Sequence, residues 1–317
     1  MNNAFSLVQT QLLSRPDLAK FDESHVIFCI VDADGRLSVG APAKVSRHFS
    51  SPRVGGVQCS VHIYNQSSFL TRVQALEFEI FGGLFQCGRA QWNAAFMGGN
   101  GQFNRMSALR SVASKEGPWS HYLTEDQELG LRLLERGWWG RHEVFTDVNQ
   151  QGLNHLRALY RQRTRWMQGN LQVLADLRRV YAHEVVGFRR FDVLFTLIQP
   201  ILQVIVGLSV IMALVLWIGF GVPYLPLGNI WLVLFFLQLS IGPTVLGVSV
   251  VGRGHGLAGI WRVAKVLVPY VGYTWLMWPV VFKGVFSQLK RNKTWAKTDR
   301  ETIKKSAPTT PSHSPGG

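Results

Sequence analysis

Two stretches of this chain carry no charged residue: 193–221, VLFTLIQPILQVIVGLSVIMALVLWIGFG, and 230–251. Each is longer than the ~20 apolar residues that take a helix across a bilayer. A buried core helix is the competing reading. It fits poorly with a composition of 47% hydrophobic and 16% charged residues, which is low in charge for a soluble protein. A third apolar run, 266–286, holds two prolines and is rich in Trp and Tyr, like an interfacial belt. The predicted organisation is therefore a globular part over 1–190, transmembrane or interfacial helices over 191–288, and a basic tail over 289–317. That tail ends in SAPTTPSHSPGG, a composition that cannot build a packed core.

The formal net charge of +14 matters through its placement. After residue 190 every Lys and Arg lies from Arg253 onward, outside the two uncharged spans. A basic balance also suits nucleic-acid binding, but the chain lacks the interleaved aromatic and basic platform such binding uses, so no nucleic-acid partner is expected. Bases flanking apolar spans fit the positive-inside pattern. They place the globular part on the cytosolic side of a plasma or inner membrane, as part of a multi-pass protein with membrane lipid as a partner. Three full crossings would put LKRNKTWAKTDR outside. The third run is therefore expected to lie in the interface or re-enter, or else the long first span is broken at Pro200. Three cysteines without CxxC spacing suit a reducing compartment, and Cys29, inside HVIFCIV, reads as a small core residue.

Before residue 190 strands and helices alternate, which predicts an α/β domain. HVIFCIV (25–31) has the apolar, β-branched character of a buried strand, and VGGVQCSVHIY (54–64) reads as another. Residues 68–90 have helical spacing, with Phe69, Val73, Leu76 and Ile80 along one side. The clearest helix is 124–137: Thr124 caps it, Glu125, Asp126 and Glu128 suit its N-terminal dipole, and Gly137 ends it.

Four constellations carry chemistry. In IVDADGRL, Asp32 and Asp34 stand one residue apart at the carboxyl end of a strand, where open α/β sheets bind ligands. Placed on one side of the strand, they suit a hard cation, Mg²⁺ or Mn²⁺, that keeps waters and bridges to phosphate oxygens. Asp-Gly is also ordinary turn chemistry. In LTEDQELG the acidic pair Glu125 and Asp126 is either helix capping or a general base at the rim of a site. In LYRQRTRWMQG, Arg161 and Arg165 share one helix face, as do Gln162 and Trp166. Guanidinium groups suit phosphate and an indole suits sugar or base stacking. A juxtamembrane helix holding anionic lipid would look similar. In FMGGNGQFNR (96–105), Gly99 and its neighbours allow close backbone approach to a ligand, and Arg105 offers a further cation; a plain turn is the simpler reading.

Taken in order, DAD, GGNGxxxR, TED and QRTRW resemble the membrane-embedded family-2 glycosyltransferases, such as cellulose, chitin and hyaluronan synthases. WAKTDR, after the spans, resembles a tail motif of that family. The resemblance implies a GT-A-like (nucleotide-diphospho-sugar transferase) domain on the cytosolic face, followed by membrane helices. It implies a nucleotide-sugar donor, UDP-linked, and a growing glycan or glycolipid acceptor. Asp32 and Asp34 would bind the metal and the donor diphosphate, with Glu125, Gly99 and Arg105 nearby. Asp126 would be the general base, Arg165 would meet the pyrophosphate, and Gln162 and Trp166 would complete the motif beside the acceptor. The reaction would be inverting.

The start departs from that family. About 100 residues that precede the DxD strand in relatives, including aspartates that hold the nucleoside, have no counterpart ahead of residue 25. MNNAFSLVQTQLL resembles the family's segment just before that strand. The expectations are a truncated chain, a separate N-terminal polypeptide as partner, or a non-catalytic paralogue in a polysaccharide synthesis or export system. On its own the chain is expected to show little transfer.

Overall fold

A computed structural model of the chain describes residues 1–223, 228–251 and 256–290. The WAKTDR motif and the basic tail fall outside the described residues. In chain order the globular part runs α1 (Asn2–Leu7), β1 (Ile27–Ile30), β2 (Arg36–Leu37), α2 (Ala41–Ser46), β3 (Val54–Ile63) and α3 (Phe69–Ile80). It continues through α4 (Cys87–Gln91), β4 (Gln102–Arg105), α5 (Met106–Val112), α6 (Glu125–Glu135), β5 (Trp139–Gln150) and α7 (Leu156–Leu174). Four apolar helices follow: α8 (Gly187–Phe220), α9 (Ile230–Val251), α10 (Gly256–Leu276) and α11 (Trp278–Leu289).

Among the described residues five strands form one mixed sheet in the order β1-β4-β3-β5-β2. Only β3 and β5 are parallel; the other pairings are antiparallel. The central β3 is buried along Val54–Cys59, as its apolar run demands. By contrast β1 is an edge strand of four residues, and Cys29 is exposed there, contrary to the core position expected for it. Val26, Phe28 and Ile30 alternate onto one face and pack on the cluster of Met106, Leu109 and Trp119, whereas the Cys29 side chain, on the opposite face, is left uncovered. The strand also stops at Ile30. Asp32–Gly35 forms a turn closed by the Gly35 N–H donating to Asp32 O at 2.8 Å, so the Asp pair sits on a turn rather than along one side of a strand.

Residues 69–91 are one helical run, as the spacing predicted, with a wider-turned π segment at Phe81–Gln86 between α3 and α4. Val73, Leu76 and Ile80 are buried; Phe69, at its start, is exposed. Helix α6 matches its expected limits, and Gly137, at φ +83°, follows its end. Its predicted cap does not form. Thr124 has φ −124° and ψ 63°, its hydroxyl makes no capping bond, and its side chain instead lies against Gly169 of α7.

The compositional boundary at residue 190 falls inside α8, whose 34 residues make it about 50 Å long. Its first turns belong to the globular part. Val193 and Leu197 join the core cluster containing Phe96, Leu131, Leu134 and Val173. Asp192 accepts from Trp92 Nε1 at 3.3 Å and pairs with the buried Arg89 at 3.3 Å, and Arg89 donates to Thr196 Oγ1 at 2.6 Å. Beyond this the surface is apolar and open, with Ile218 79% and Phe220 75% exposed. Among the described residues α8 is the one helix long and apolar enough to cross a membrane by length and composition. It runs through Pro200 without a break. The third apolar run is two helices meeting at Met277, and the second, α11, packs on α7, where Gly284 faces Met167.

Candidate active site

The glycine-rich loop is the frame. Gln58, buried on β3, donates from Nε2 to Asn100 O at 2.7 Å and to Cys59 O at 3.0 Å, and its Oε1 accepts from Gly98 N at 2.8 Å. Gly99 N donates to Gln102 Oε1 at 3.2 Å, and Gly101 N to Ile30 O at 3.0 Å. The Asn100 side chain faces two ways. Its Nδ2 donates to Gln150 Oε1 at 2.8 Å, and its Oδ1 accepts from the Asp32 N–H at 3.0 Å. The peptide N–H groups of Gly98, Gly99 and Gly101 are thus tied to the sheet, that of Asn100 donates to Gly98 O at 2.9 Å within the loop, and the Asn100 side chain links the loop to the DxD turn, with buried amides serving where water cannot. Sequence reasoning missed Gln58, Asn100, Gln102 and Gln150; their signal was one amide on each of β3, β4 and β5 and a fourth in the glycine loop.

Against this loop stands the first turn of α6. Gly99 has φ +77°, and a Cβ placed on it would stand 3.1 Å from Asp126 Oδ2. Both the left-handed backbone and the close approach call for glycine. Asp126 Oδ1 accepts from the Gln127 N–H at 2.8 Å. Burial pushes its carboxyl up to about 7, the Glu125 charge beside it adds to the rise, and the backbone N–H groups and Arg165 oppose it. Glu125 is raised too, by burial first, with Arg165 lowering it and Asp32 raising it. The structure therefore brings Asp32, Gly99, Glu125, Asp126 and Arg165 into one electrostatic neighbourhood. These residues come from the β1–β2 turn, the glycine loop, α6 and α7.

Arg105 is elsewhere. It is buried, and its guanidinium donates to Val54 O at 2.9 Å, Phe49 O at 2.8 Å, Ser51 O at 2.9 Å and Ser24 O. It clamps the segment leading into β3, and the structure does not turn it toward Asp32 or Asp126. The reason is geometric: Arg105 ends β4, opposite Ile27 in the register, at the far end of the strand from the glycine loop. Gln162 is buried on α7, and Trp166 is half-buried, with Phe78 edge-on at 6.3 Å and the Arg163 guanidinium 4.2 Å over its ring. The arginines ahead of the uncharged span, which could otherwise hold anionic lipid, are mostly engaged by the protein. Arg163 pairs with Glu77, Arg179 with Glu135 and Asp176, and Arg189 and Arg190 donate to backbone carbonyls, whereas Arg161 and Arg178 are exposed.

Among the described residues no group of three or more His, Cys, Asp or Glu is arranged to hold a metal. Two carboxylates on a turn, Asp32 and Asp34, fit a hard cation that takes its remaining ligands from water and a diphosphate, rather than a dedicated cage.

A profile described as glycosyl transferase family group 2 matches residues 27–246. The chain is 29% identical over 189 residues to the beta-monoglucosyldiacylglycerol synthase of Synechocystis, covering 58% of this chain and 39% of that protein. It is 26% identical over 186 residues to the poly-beta-1,6-N-acetyl-D-glucosamine synthase of Staphylococcus aureus, covering 56% and 42%. The chain thus spans about two-fifths of the length of these curated relatives. A solved mannosyltransferase from Pyrobaculum calidifontis superposes with a TM-score of 0.44 at 14% identity, covering 92% of this chain and 76% of that one.

Proposed function

The chain belongs to glycosyl transferase family group 2, and on that premise we propose that it carries the catalytic face of an inverting, GT-A-like sugar transferase at the cytosolic side of a membrane. The donor is a nucleotide sugar of the UDP class, and the acceptor hydroxyl belongs to a lipid or a growing glycan. The observation that carries this reading is Asp126: a carboxyl raised to about 7, set against the Gly99 loop, with Arg165 acting on it across the site. A general base needs that poise.

Asp126 takes the proton of the acceptor hydroxyl. The acceptor oxygen attacks C1 of the sugar, the C1–O bond to the diphosphate breaks, and the nucleoside diphosphate leaves with the electron pair. Charge grows on that leaving group, so Arg165 stabilises the transition state more than the ground state. Asp32 and Asp34 would hold Mg²⁺ or Mn²⁺, which supplies charge neutralisation at the diphosphate. Glu125 keeps Asp126 basic by like-charge proximity. Trp166, with Gln162 behind it on α7, offers the ring face on which a sugar acceptor stacks. The exposed apolar length of α8, with α9–α11, anchors the domain in lipid. The names of the relatives, one a glycolipid synthase and one a polysaccharide synthase, support both acceptor classes.

The test uses membranes carrying the protein, Mn²⁺ and radiolabelled UDP-glucose, UDP-galactose or UDP-N-acetylglucosamine, with UDP binding measured in parallel. Transfer abolished by Asp126→Asn, with UDP binding retained, is the expected result. If no donor is turned over while UDP still binds, the protein is a non-catalytic member of the family. If Asp126→Asn loses binding and transfer together, Asp126 is a helix cap and not the base.

A further inference from the structure

Arg163 is the one base within QRTRW that faces inward, and it is only 9% exposed. Its Nη2 donates to Glu77 Oε2 at 2.5 Å, and the Tyr273 hydroxyl donates to the same oxygen at 2.9 Å. One carboxylate oxygen therefore joins three helices: α3 through Glu77, α7 through Arg163 and α10 through Tyr273. The other side of the guanidinium lies 4.2 Å over the Trp166 ring, and Phe78, next to Glu77, closes the ring's edge. Val73, Leu76, Ile80, Leu159 and Tyr270 wall the junction with apolar surface.

A buried ion pair adds little net stability compared with apolar residues of the same shape. What this one supplies is direction. A planar guanidinium fixed by a carboxylate at one edge leaves its face in a single orientation, and an indole stacks on that face; an ammonium group cannot reproduce this. We propose that Arg163, held by Glu77 and Tyr273, is a positioning residue that sets the Trp166 ring, and with it the acceptor subsite, according to where α10 lies. Burial opposes the charge on Arg163, but Glu77 and Tyr273 more than offset it and hold the guanidinium above its ordinary range. The clamp therefore stays charged at every physiological pH. A shift of α10 moves the Tyr273 hydroxyl, which re-aims the Glu77 carboxylate, the guanidinium and then the ring. Helix α10 packs beside α9 and so feels what the lipid-facing helices feel.

The proposal rests on Trp166 facing the acceptor, and its test separates the two ideas. The full chain is labelled with 5-fluorotryptophan in detergent, and the Trp166 fluorine resonance is assigned by its loss in Trp166→Phe. Tyr273→Phe and Glu77→Gln, on other helices, are expected to shift or broaden that resonance while leaving most of the other indoles unmoved. In membranes, Tyr273→Phe and Arg163→Lys are expected to raise the acceptor KM about tenfold, the value of one hydrogen bond to a charged group, and to leave the UDP-sugar KM within about twofold. A purely structural role would lower the unfolding temperature and change both KM values together. An unmoved Trp166 resonance in Tyr273→Phe and Glu77→Gln overturns the proposal, whether or not the protein transfers sugar. A moved resonance with equal effects on the two substrates keeps the clamp and places Trp166 away from the acceptor. Absence of transfer from every donor refutes the catalytic reading alone.

Discussion

Gly169→Ala is the perturbation whose sign the structure decides. Gly169 lies on α7, one turn beyond Arg165, and a Cβ there would stand 2.5 Å from Thr124 Cγ2, 2.7 Å from Thr124 Oγ1 and 2.9 Å from the Thr124 backbone nitrogen. In an open helix interior, exchanging Gly for Ala gains about 0.8–1 kcal/mol. Against that, overpacking costs about 1–3 kcal/mol. The threonine side chain can rotate away, but its backbone nitrogen cannot, because the next residue begins α6. The methyl group must therefore lever the start of α6 from α7. The net expectation is a loss of up to about 2 kcal/mol. Activity should suffer more, because Glu125 and Asp126 move with that turn while Arg165 stays. A displacement near 1 Å can cost on the order of 10²-fold in rate. Thermal unfolding in detergent and transfer assays in membranes read the two effects. The buried Thr124 hydroxyl has no hydrogen-bond partner among the described residues, so Thr124→Ala alone should be nearly neutral in stability. Combined with Gly169→Ala it should restore part of the loss by removing two of the three contacts. A Gly169→Ala protein that is more stable by the full helical gain, with unchanged transfer, would show that α6 and α7 do not meet here and would refute the reasoning.

Three further outcomes follow from the site. With Asp126 held at about 7 and acting, as proposed, in its anionic form, kcat/KM should rise as pH climbs through about 7. Stability should fall between about pH 4 and 7, where only the unfolded chain ionises this group, then level off; Asp126→Asn should remove both trends in pH titrations of rate and unfolding. Arg105→Lys should lower the unfolding temperature, since an ammonium cannot span the carbonyls of Val54, Phe49 and Ser51, while the donor KM of the folded fraction stays put; a donor-specific KM defect without destabilisation would return Arg105 to the binding site. Chelation with EDTA should stop transfer, Mn²⁺ or Mg²⁺ should restore it, and Asp34→Asn should raise the metal concentration needed for half-maximal rate.

Much of the architecture was legible because it rests on composition and local periodicity. The strand at 54–64, the helical run at 68–90, the helix ending before Gly137 and the uncharged stretch within α8 all follow from which residues are apolar and how they repeat. The ordered motifs pointed to the family that the profile match then established. Readings failed where a neighbour distant in sequence decided the outcome. HVIFCIV is apolar enough for a core strand, yet the structure leaves the Cys29 side chain uncovered while Phe28 and Ile30 pack on the other face. Thr124 has the residue type of a cap, yet Gly169 takes up its side chain. Arg105 follows the glycine loop in sequence, yet it points into a ring of backbone carbonyls.

The sequence by itself determined that this chain joins an α/β domain to a helix of lipid length and carries the ordered motifs that resemble family-2 glycosyltransferases, because side-chain chemistry and spacing are local properties. Only the tertiary structure decided which of those residues meet. Asp126 acquires its raised carboxyl from the Gly99 loop and Glu125 packed around it, and Arg163 becomes a clamp because Glu77 and Tyr273 converge on it from two other helices. Burial chiefly sets the first and the approach of groups from separate elements the second, and neither quantity is written along the chain.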